Sequence, residues 1–524
     1  MAARYCQVLL PLRLKWIPFY STEIPLLRGQ AVRVTFSGHR YTGIVWRTDV
    51  VPTVDRVQRI TGIERSLAPL SSEEMKLWEF IADYYLCTLG EVFSAALPSL
   101  RLQSEQAAEA NLTRLRSRLE SINAKLEGKH CERVRQRLEA SRDGLLAEIR
   151  RAEASRSYSP SSLKRSAPQK PVLLRGYSRT SVYIKHIRET LERGGQALLL
   201  TPEKAFCDRL EESLRAEFGD TLSVVSSDKT PVQRRKAADR LRSGEPTLIL
   251  GTRSAVFLPY NGLSLVIIDE EQDSFYKQSE PSPRYSGRDT AIYLAGLHGA
   301  QVMLGSACPS LESLLNCSTG KYTLRETHSK SSGSVEIIDI NAERRKNGMR
   351  GVFSRKLMDA AAACGGPLRL IRGWEKPEEL SDLQAVFPGI EVSVSTLAEL
   401  KRDGAPGVGL LAVLQADALL SKDDFRSDER ALQMVAMLRE FAPRLIIQSA
   451  VPQRFSPERD GEALLGERKQ FGFPPYSRLV EVRRQGSGEV LERHFLRRDA
   501  SLAARKAGIF DSLPDGCYAD VDPQ

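Results

Sequence analysis

Apolar and polar positions along this chain change period several times. In residues 1–100, Val8-Leu9-Leu10 and Ala31–Phe36 read as strands, Ser37-Gly38-His39-Arg40 as a turn, and Tyr41–Trp46 as the return strand. A helix follows, with Ser71 or Ser72 as its N-cap, Glu73 and Glu74 in its first turn, and Leu77, Phe80, Ile81 and Tyr84 along one face. Residues 1–100 are therefore expected to form a small β-rich binding domain. From 105 to 156 the period is helical. Leu112, Leu115, Leu119, Ile122 and Leu126 make one stripe, Gly128-Lys129-His130 breaks it, and Val134, Leu138, Leu145 and Ile149 make a second. Two antiparallel helices are expected, followed by a Ser/Pro/Lys-rich linker over 154–170.

Residues 171–330 alternate strand and helix. Val172–Leu174, Ala197–Leu200, Leu222–Val225, Thr247–Leu250, Leu265–Ile268 and Gln301–Leu304 are the strands, which predicts a doubly wound parallel sheet. Residues 331–455 repeat the pattern more faintly, with strands at Leu368–Ile371, Gly409–Leu414 and Arg444–Gln448. In the tail, 456–524, only Leu479–Val482 reads as a strand, so that segment looks too short for a complete domain. The fold class is α/β: two doubly wound lobes in tandem, the second eroded, behind a β-rich domain and a helical hairpin over 101–170.

Composition is that of a globular chain, 41% hydrophobic over 524 residues, which implies several domains. The formal net charge is +10, and residues 101–170 hold sixteen Lys/Arg against nine Asp/Glu. That concentration suits a polyanion partner and equally suits a solvated helical surface. The eight cysteines form no CxxC pair, and six scattered histidines add no ligand spacing, so no metal site is expected. No apolar run approaches membrane-spanning length and no long apolar leader opens the chain, which predicts a cytoplasmic protein with no membrane partner.

The candidate chemistry lies where the apolar strand Leu263–Ile268 ends in Asp269-Glu270-Glu271-Gln272. Carboxylates at the carboxyl end of a strand in such a sheet can hold a nucleotide's magnesium ion and orient water, although the same pattern can be a surface turn. A nucleotide motor also needs an amide-rich loop with a lysine around the phosphates, and arginines from a second lobe.

Several strings carry a specific resemblance. They are Gly251-Thr252-Arg253-Ser254-Ala255-Val256-Phe257, Ile268–Ser274, Tyr276-Lys277-Gln278, Pro283-Arg284-Tyr285, Arg288-Asp289 and Leu304–Ser313. Trp78, Ile81–Cys87, Gly90-Glu91-Val92 and Ala95–Pro98 continue it toward the N-terminus, and Gly409–Asp417, Asp424-Phe425-Arg426 and Glu429-Arg430 toward the C-terminus. Over about residues 5–485 the chain resembles the primosomal protein N′ (PriA) family of superfamily 2 replication-restart helicases. The resemblance implies two RecA-like lobes behind a 3′ DNA-end-binding domain. It implies ATP and Mg2+ as cofactors, with Asp269 and Glu270 as catalytic carboxylates. It implies DNA contacts at Phe19, Tyr20, Phe36, Gly38, Arg253, Tyr276, Lys277, Arg284 and Arg288. The aromatic side chains of the first domain can equally be core, and the loop around Tyr276–Arg288 can equally pack against a neighbouring lobe. Forked DNA, the 3′ end of a nascent strand, single-stranded DNA, other primosome proteins and single-stranded DNA-binding protein are the implied partners.

The departures are as informative. The family's phosphate loop reads Gly-Val-Thr-Gly-Ser-Gly-Lys-Thr-Glu-Val-Tyr; here Gly176-Tyr177-Ser178-Arg179-Thr180-Ser181-Val182-Tyr183 is three residues shorter, with Arg179 in place of the lysine. Gly176, Arg179 and Thr180 are what is left to meet a nucleotide. The family's zinc-binding cysteines are reduced to Cys364, so no zinc is expected, and its arginine-finger motif to Gln433–Arg439, with Arg439 as the remnant finger. The expectation is a DNA-binding protein of replication restart and primosome assembly that recognises branched DNA or stalled forks, in a helicase fold with defective ATP hydrolysis. An active ATP-dependent 3′–5′ DNA helicase and a protein–protein adaptor without DNA binding are the alternatives.

Overall fold

A computed structural model describes residues 4–54, 56–100, 105–128, 131–154, 169–226, 230–327, 333–420, 424–456 and 459–524. Most of the expected linker, and Lys129-His130 between the two long helices, lie outside these residues.

The N-terminal domain is a six-stranded, mostly antiparallel sheet. Its order is Gln58–Arg59, Phe19–Thr22, Arg4–Leu9, His39–Thr48, Ala31–Phe36 and Gly62–Ile63. The hairpin turns at Ser37 and Gly38, both at positive φ. Helix Ser72–Tyr85 starts at Ser71, whose hydroxyl accepts from the Glu74 amide while the Glu74 carboxylate accepts from the Ser71 amide, a capping box. Its Trp78 stacks between Trp46 of the sheet and Phe93 of helix Leu89–Leu100, at centroid distances of 6.3 and 5.6 Å. Gly90 lets that second helix approach the sheet, since a Cβ there would lie 1.9 Å from the Leu12 carbonyl oxygen. Helices Glu105–Leu126 and Glu132–Ala154 form the hairpin, closed by buried Leu112, Leu115, Leu145 and Ile149.

The first lobe is a seven-stranded parallel sheet ordered Thr323–Glu326, Val172–Arg175, Gln301–Ser306, Leu263–Asp269, Gln196–Leu200, Thr247–Gly251 and Leu222–Val225. The central strands are buried along their length, as their unbroken apolar runs require. The N-terminal domain packs directly on this lobe. Phe80 stacks on Tyr293 with centroids 3.9 Å apart, and the Arg242 guanidinium donates to the Ser99 carbonyl at 3.1 Å.

The second lobe is less worn than its sequence suggests. It is a five-stranded parallel sheet ordered Ser334–Asp339, Arg444–Ser449, Leu410–Val413, Leu368–Ile371 and Val392–Ser395. The two outer strands escaped the hydrophobic reading because they sit at the sheet edges, partly exposed, and carry no apolar run. The tail also differs from expectation. Ser477–Arg484, Val490–Arg497 and Cys517–Val521 form a three-stranded antiparallel sheet with helix Leu502–Asp511. Val490–Arg497 was missed because most of it is exposed and charged residues interrupt it. The two doubly wound RecA-like lobes, the β-rich domain and the hairpin make up the α/β architecture.

The lobes are joined by polar contacts. Glu429 of helix Ser427–Leu438 accepts from the Leu311 amide at 3.0 Å and pairs with Arg468 at 3.1 Å. Lys401 reaches Glu203 at 3.3 Å and Asp273 at 3.5 Å.

Candidate functional site

Strand order brings the candidate residues to one edge. Val172–Arg175 lies beside Gln301–Ser306, which lies beside Leu263–Asp269, so the loop at 176–179, Gly305 and the Asp269-Glu270 pair meet. Arg179, immediately before helix Thr180–Glu192, turns inward and is 7% exposed. Its Nε lies 3.1 Å from Asp269 Oδ1 and 3.2 Å from the Tyr183 hydroxyl, its Nη1 donates to the Gly176 carbonyl at 2.6 Å, and its Nη2 pairs with Glu270. Tyr183 donates its hydroxyl to the same Asp269 oxygen at 2.7 Å. Gln272 donates to the other Glu270 oxygen at 2.7 Å. Burial works against the Arg179 charge, but the Asp269 and Glu270 carboxylates outweigh it and hold the guanidinium above its ordinary range. Burial pushes the Glu270 carboxyl up and Arg179 pulls it back. Burial, reinforced by Asp269, keeps Tyr183 a neutral donor.

The third carboxylate, Glu271, has a different task. It accepts from the Ser310 amide at 2.8 Å and the Ser310 hydroxyl at 2.9 Å, and pairs with Arg288 at 3.1 Å, at the start of helix Leu311–Ser318.

A magnesium–triphosphate does not fit this arrangement. Magnesium takes carboxylate, phosphate and water oxygens in near-octahedral geometry. Here one guanidinium and one phenol occupy Asp269 Oδ1, and Arg179 and Gln272 occupy Glu270. The start of the loop is likewise occupied. The Gly176 amide donates to the Ser306 carbonyl at 2.9 Å, and Thr327 donates its hydroxyl to the Tyr177 carbonyl at 2.8 Å. A Cβ on Gly176 would lie 2.2 Å from Thr327 Oγ1, so Thr327 fills the space over the loop. Tyr177 crosses to the second lobe, its hydroxyl donating to the Ala436 carbonyl at 3.1 Å. Thr180 is half-buried as the first residue of its helix. Arg439 donates through Nε to the Gly333 carbonyl at 3.3 Å. Its neighbour Glu440 faces the cluster: partial desolvation and then Glu270 push it up to about 7, against the pull of Arg179. Among the described residues no group of three or more His, Cys, Asp or Glu is placed to hold a metal ion, and no helix is long and apolar enough to cross a membrane.

The DNA candidates divide. Phe19 and Phe36 are half-buried, and Gly38 sits in the open hairpin turn. Tyr20 is 2% exposed, with its hydroxyl on the Thr35 carbonyl at 3.0 Å, so its ring belongs to the core and cannot stack on a base in this arrangement. Sequence reasoning missed Trp16, which is 55% exposed with its ring 6.2 Å from Phe36; its place in Trp16-Ile17-Pro18-Phe19 was the available signal. The loop 276–288 is used inside the protein. Tyr276 is buried, its hydroxyl on the Leu200 and Asp269 carbonyls at 2.9 and 2.6 Å. Lys277 pairs with Asp520 at 2.8 Å and donates to the Val521 carbonyl at 2.6 Å, while the Arg284 guanidinium lies 3.4 Å over the Tyr518 ring. Arg253 donates to the Phe275 and Lys277 carbonyls at 3.2 and 3.3 Å. Four of these side chains are thus engaged inside the protein instead of facing solvent: Tyr276 and Arg288 by the first lobe itself, Lys277 and Arg284 by the tail's last strand. The hairpin is less basic than its segment: its two helices hold ten Lys/Arg against eight Asp/Glu.

Residues 7–98 match the 3′ DNA-binding domain (3′BD) of PriA, and residues 178–316 match the DEAD/DEAH box helicase family. The replication restart protein PriA of Chlamydia pneumoniae is 28% identical over 400 residues, covering 64% of this chain and 53% of that protein. That of Haemophilus influenzae is 37% identical over 178 residues, covering 33% of this chain and 24% of that protein. Among solved structures, RecG bound to a three-way DNA junction covers 94% of this chain and 70% of that one at 13% identity, with a TM-score of 0.35, a likeness too distant to carry an argument. In the longer of these alignments the chain spans about half the length of its relatives. A region that matches the 3′ DNA-binding domain of PriA is thus followed in order by one that matches the DEAD/DEAH box helicases, and the chain is similar to replication restart proteins PriA.

Proposed function

We propose that this protein acts in DNA replication restart as a DNA-binding factor whose helicase lobes serve as a scaffold with negligible ATP turnover. The N-terminal domain binds branched DNA at a free 3′ end, as at a stalled fork, and the scaffold presents surfaces to other primosome proteins and to single-stranded DNA-binding protein. The observation that carries this reading is the Arg179 guanidinium lying across Asp269 and Glu270, where a motor needs metal and water. Loss of phosphate positioning typically costs several orders of magnitude in rate. The half-buried Phe19 and Phe36, beside exposed Trp16, support the DNA side.

The retained order of Thr180, Asp269 and Glu270 favours a second reading, an ATP-dependent 3′–5′ helicase in which Arg179 swings out. Phosphate release with and without forked DNA, compared between wild type and Glu270→Gln, separates the two. Equal background release from both supports the scaffold; turnover by wild type alone supports the motor. Binding to a fork with a free 3′ end, measured across salt concentrations, tests the DNA side, and a slope near zero would leave only an adaptor role.

A further inference from the structure

The apolar cores divide the molecule into two bodies. One cluster runs from Trp78 and Phe93 of the N-terminal domain, through Val266 and Leu294 of the first lobe, to Val480, Ala519 and Val521 of the tail. The second lobe has clusters of its own, around Leu411 and Ile447 and around Leu370 and Ile446, and neither takes in a described residue of the first lobe. A small leucine cluster bridges the two bodies: Leu311 with Leu464 and Leu465 of helix Gly461–Phe471, against which Leu432 packs.

Two charged groups at the start of one second-lobe helix cross that seam. Arg426, immediately before helix Ser427–Leu438, is 7% exposed and donates through Nη1 to the Pro523 carbonyl, just beyond the tail strand Cys517–Val521. Glu429, three positions on and so on the same side of the helix, accepts from the Leu311 amide at 3.0 Å. One helix start thus grips the other body twice, by a guanidinium on a carbonyl and by a carboxylate on an amide. Each grip is held from behind. Asp522, next to Pro523, accepts from Arg478 at 2.9 Å and from the Tyr84 hydroxyl at 3.2 Å, and its amide donates to the Leu479 carbonyl at 2.8 Å. Arg468 donates to Glu429 at 3.1 Å and to the Pro474 carbonyl at 2.8 Å. Charge-assisted hydrogen bonds taken out of water are geometrically strict, but desolvation offsets much of their strength. They can therefore fix one docked position and still release without unfolding either body.

We propose that Arg426 and Glu429 form a two-point latch by which the chain's own groups hold the second lobe docked on the rest of the molecule, and that its release lets this lobe swing as one body. The latch goes beyond the scaffold reading, which stands whether or not the lobes move. The test uses hydrogen exchange and small-angle scattering of the full chain. In wild type at low urea, the Leu311 amide should exchange through a partial opening, well before the Ile268 amide of the central strand. Leu311 exchanging only together with Ile268 overturns the latch. Arg426→Met keeps a stem beside the Phe425 ring and removes the donors. It should speed Leu311 exchange about tenfold and raise the radius of gyration, with Ile268 exchange unchanged. Arg426→Lys, which restores a cationic donor, should return both readings toward wild type. Unchanged Leu311 exchange or an unchanged radius in Arg426→Met overturns the latch. So does equal acceleration at Leu311 and Ile268, which would make Arg426 a support of the whole fold.

Discussion

Gly305 leaves no room for a side chain because of Tyr183: a Cβ there would lie 1.6 Å from the phenol oxygen. The two residues sit on neighbouring elements of the first lobe, and the missing side chain is what admits the phenol to Asp269. Gly305→Ala should therefore overpack the cluster, at a cost of about 1–3 kcal/mol. Tyr183→Phe in the same background should relieve most of it, since the clashing oxygen is gone and the nearest ring carbon stands 2.9 Å from that Cβ. Urea midpoints of the full chain check both.

Arg179→Ala should be among the most destabilising single changes in the first lobe. It leaves Asp269 and Glu270 buried without their cation, a loss of about 3–5 kcal/mol for a broken buried pair. Without Arg179, which pulls it down, the Glu270 carboxyl should rise further above its ordinary range. The deficit should then be largest near neutral pH and shrink on acidification, as Glu270 takes up its proton. Arg179→Lys should recover little of it, because one ammonium cannot span Asp269, Glu270 and the Gly176 carbonyl together. Denaturant titrations at several pH values read out both variants.

Glu440 predicts a pH dependence of the wild type. Its carboxyl is raised to about 7 in the folded chain, so the fold keeps a proton that the unfolded chain releases at the ordinary glutamate value. Its contribution to stability is fully present below that ordinary value. It is lost as pH rises toward and through about 7. In Glu440→Gln that part of the slope should vanish, and the curves of the two proteins should run parallel outside this window.

For the N-terminal domain, Trp16→Ala should weaken binding to a fork with a free 3′ end by about 1–3 kcal/mol, while the salt slope stays unchanged because no phosphate contact is lost. Tyr20→Phe should leave DNA affinity intact and cost about 1 kcal/mol of stability, since it removes only the hydrogen bond to the Thr35 carbonyl. Anisotropy at fixed salt and thermal melts distinguish the two roles.

Strong local signals were the legible ones. The central strands of the first lobe, such as Leu263–Asp269, are buried on both faces and announce themselves as apolar runs. Ser71 and Glu74 announced a helix start because a capping box is local chemistry. The edge strands Ser334–Asp339 and Val392–Ser395 were not legible, because an edge needs no continuous apolar run. Nor was Val490–Arg497, whose pairing to Ser477–Arg484 makes it a strand despite its charges.

By itself the sequence determined the layer architecture, the family resemblance and the order of the candidate motifs, because strand burial, capping and motif strings are written in neighbouring residues. It also placed Arg179 in the loop after Val172–Arg175, where the resemblance implies a lysine in a longer loop. Only the tertiary structure decided what becomes of that arginine. Asp269 and Glu270 stand about ninety residues further along the chain, two strands away across the parallel sheet. A buried carboxylate pair needs a cation beside it, and Arg179 is the one the fold delivers. The same holds for Lys277 and Arg284: their cationic character was plain in sequence, and the distant strand Cys517–Val521 engages both.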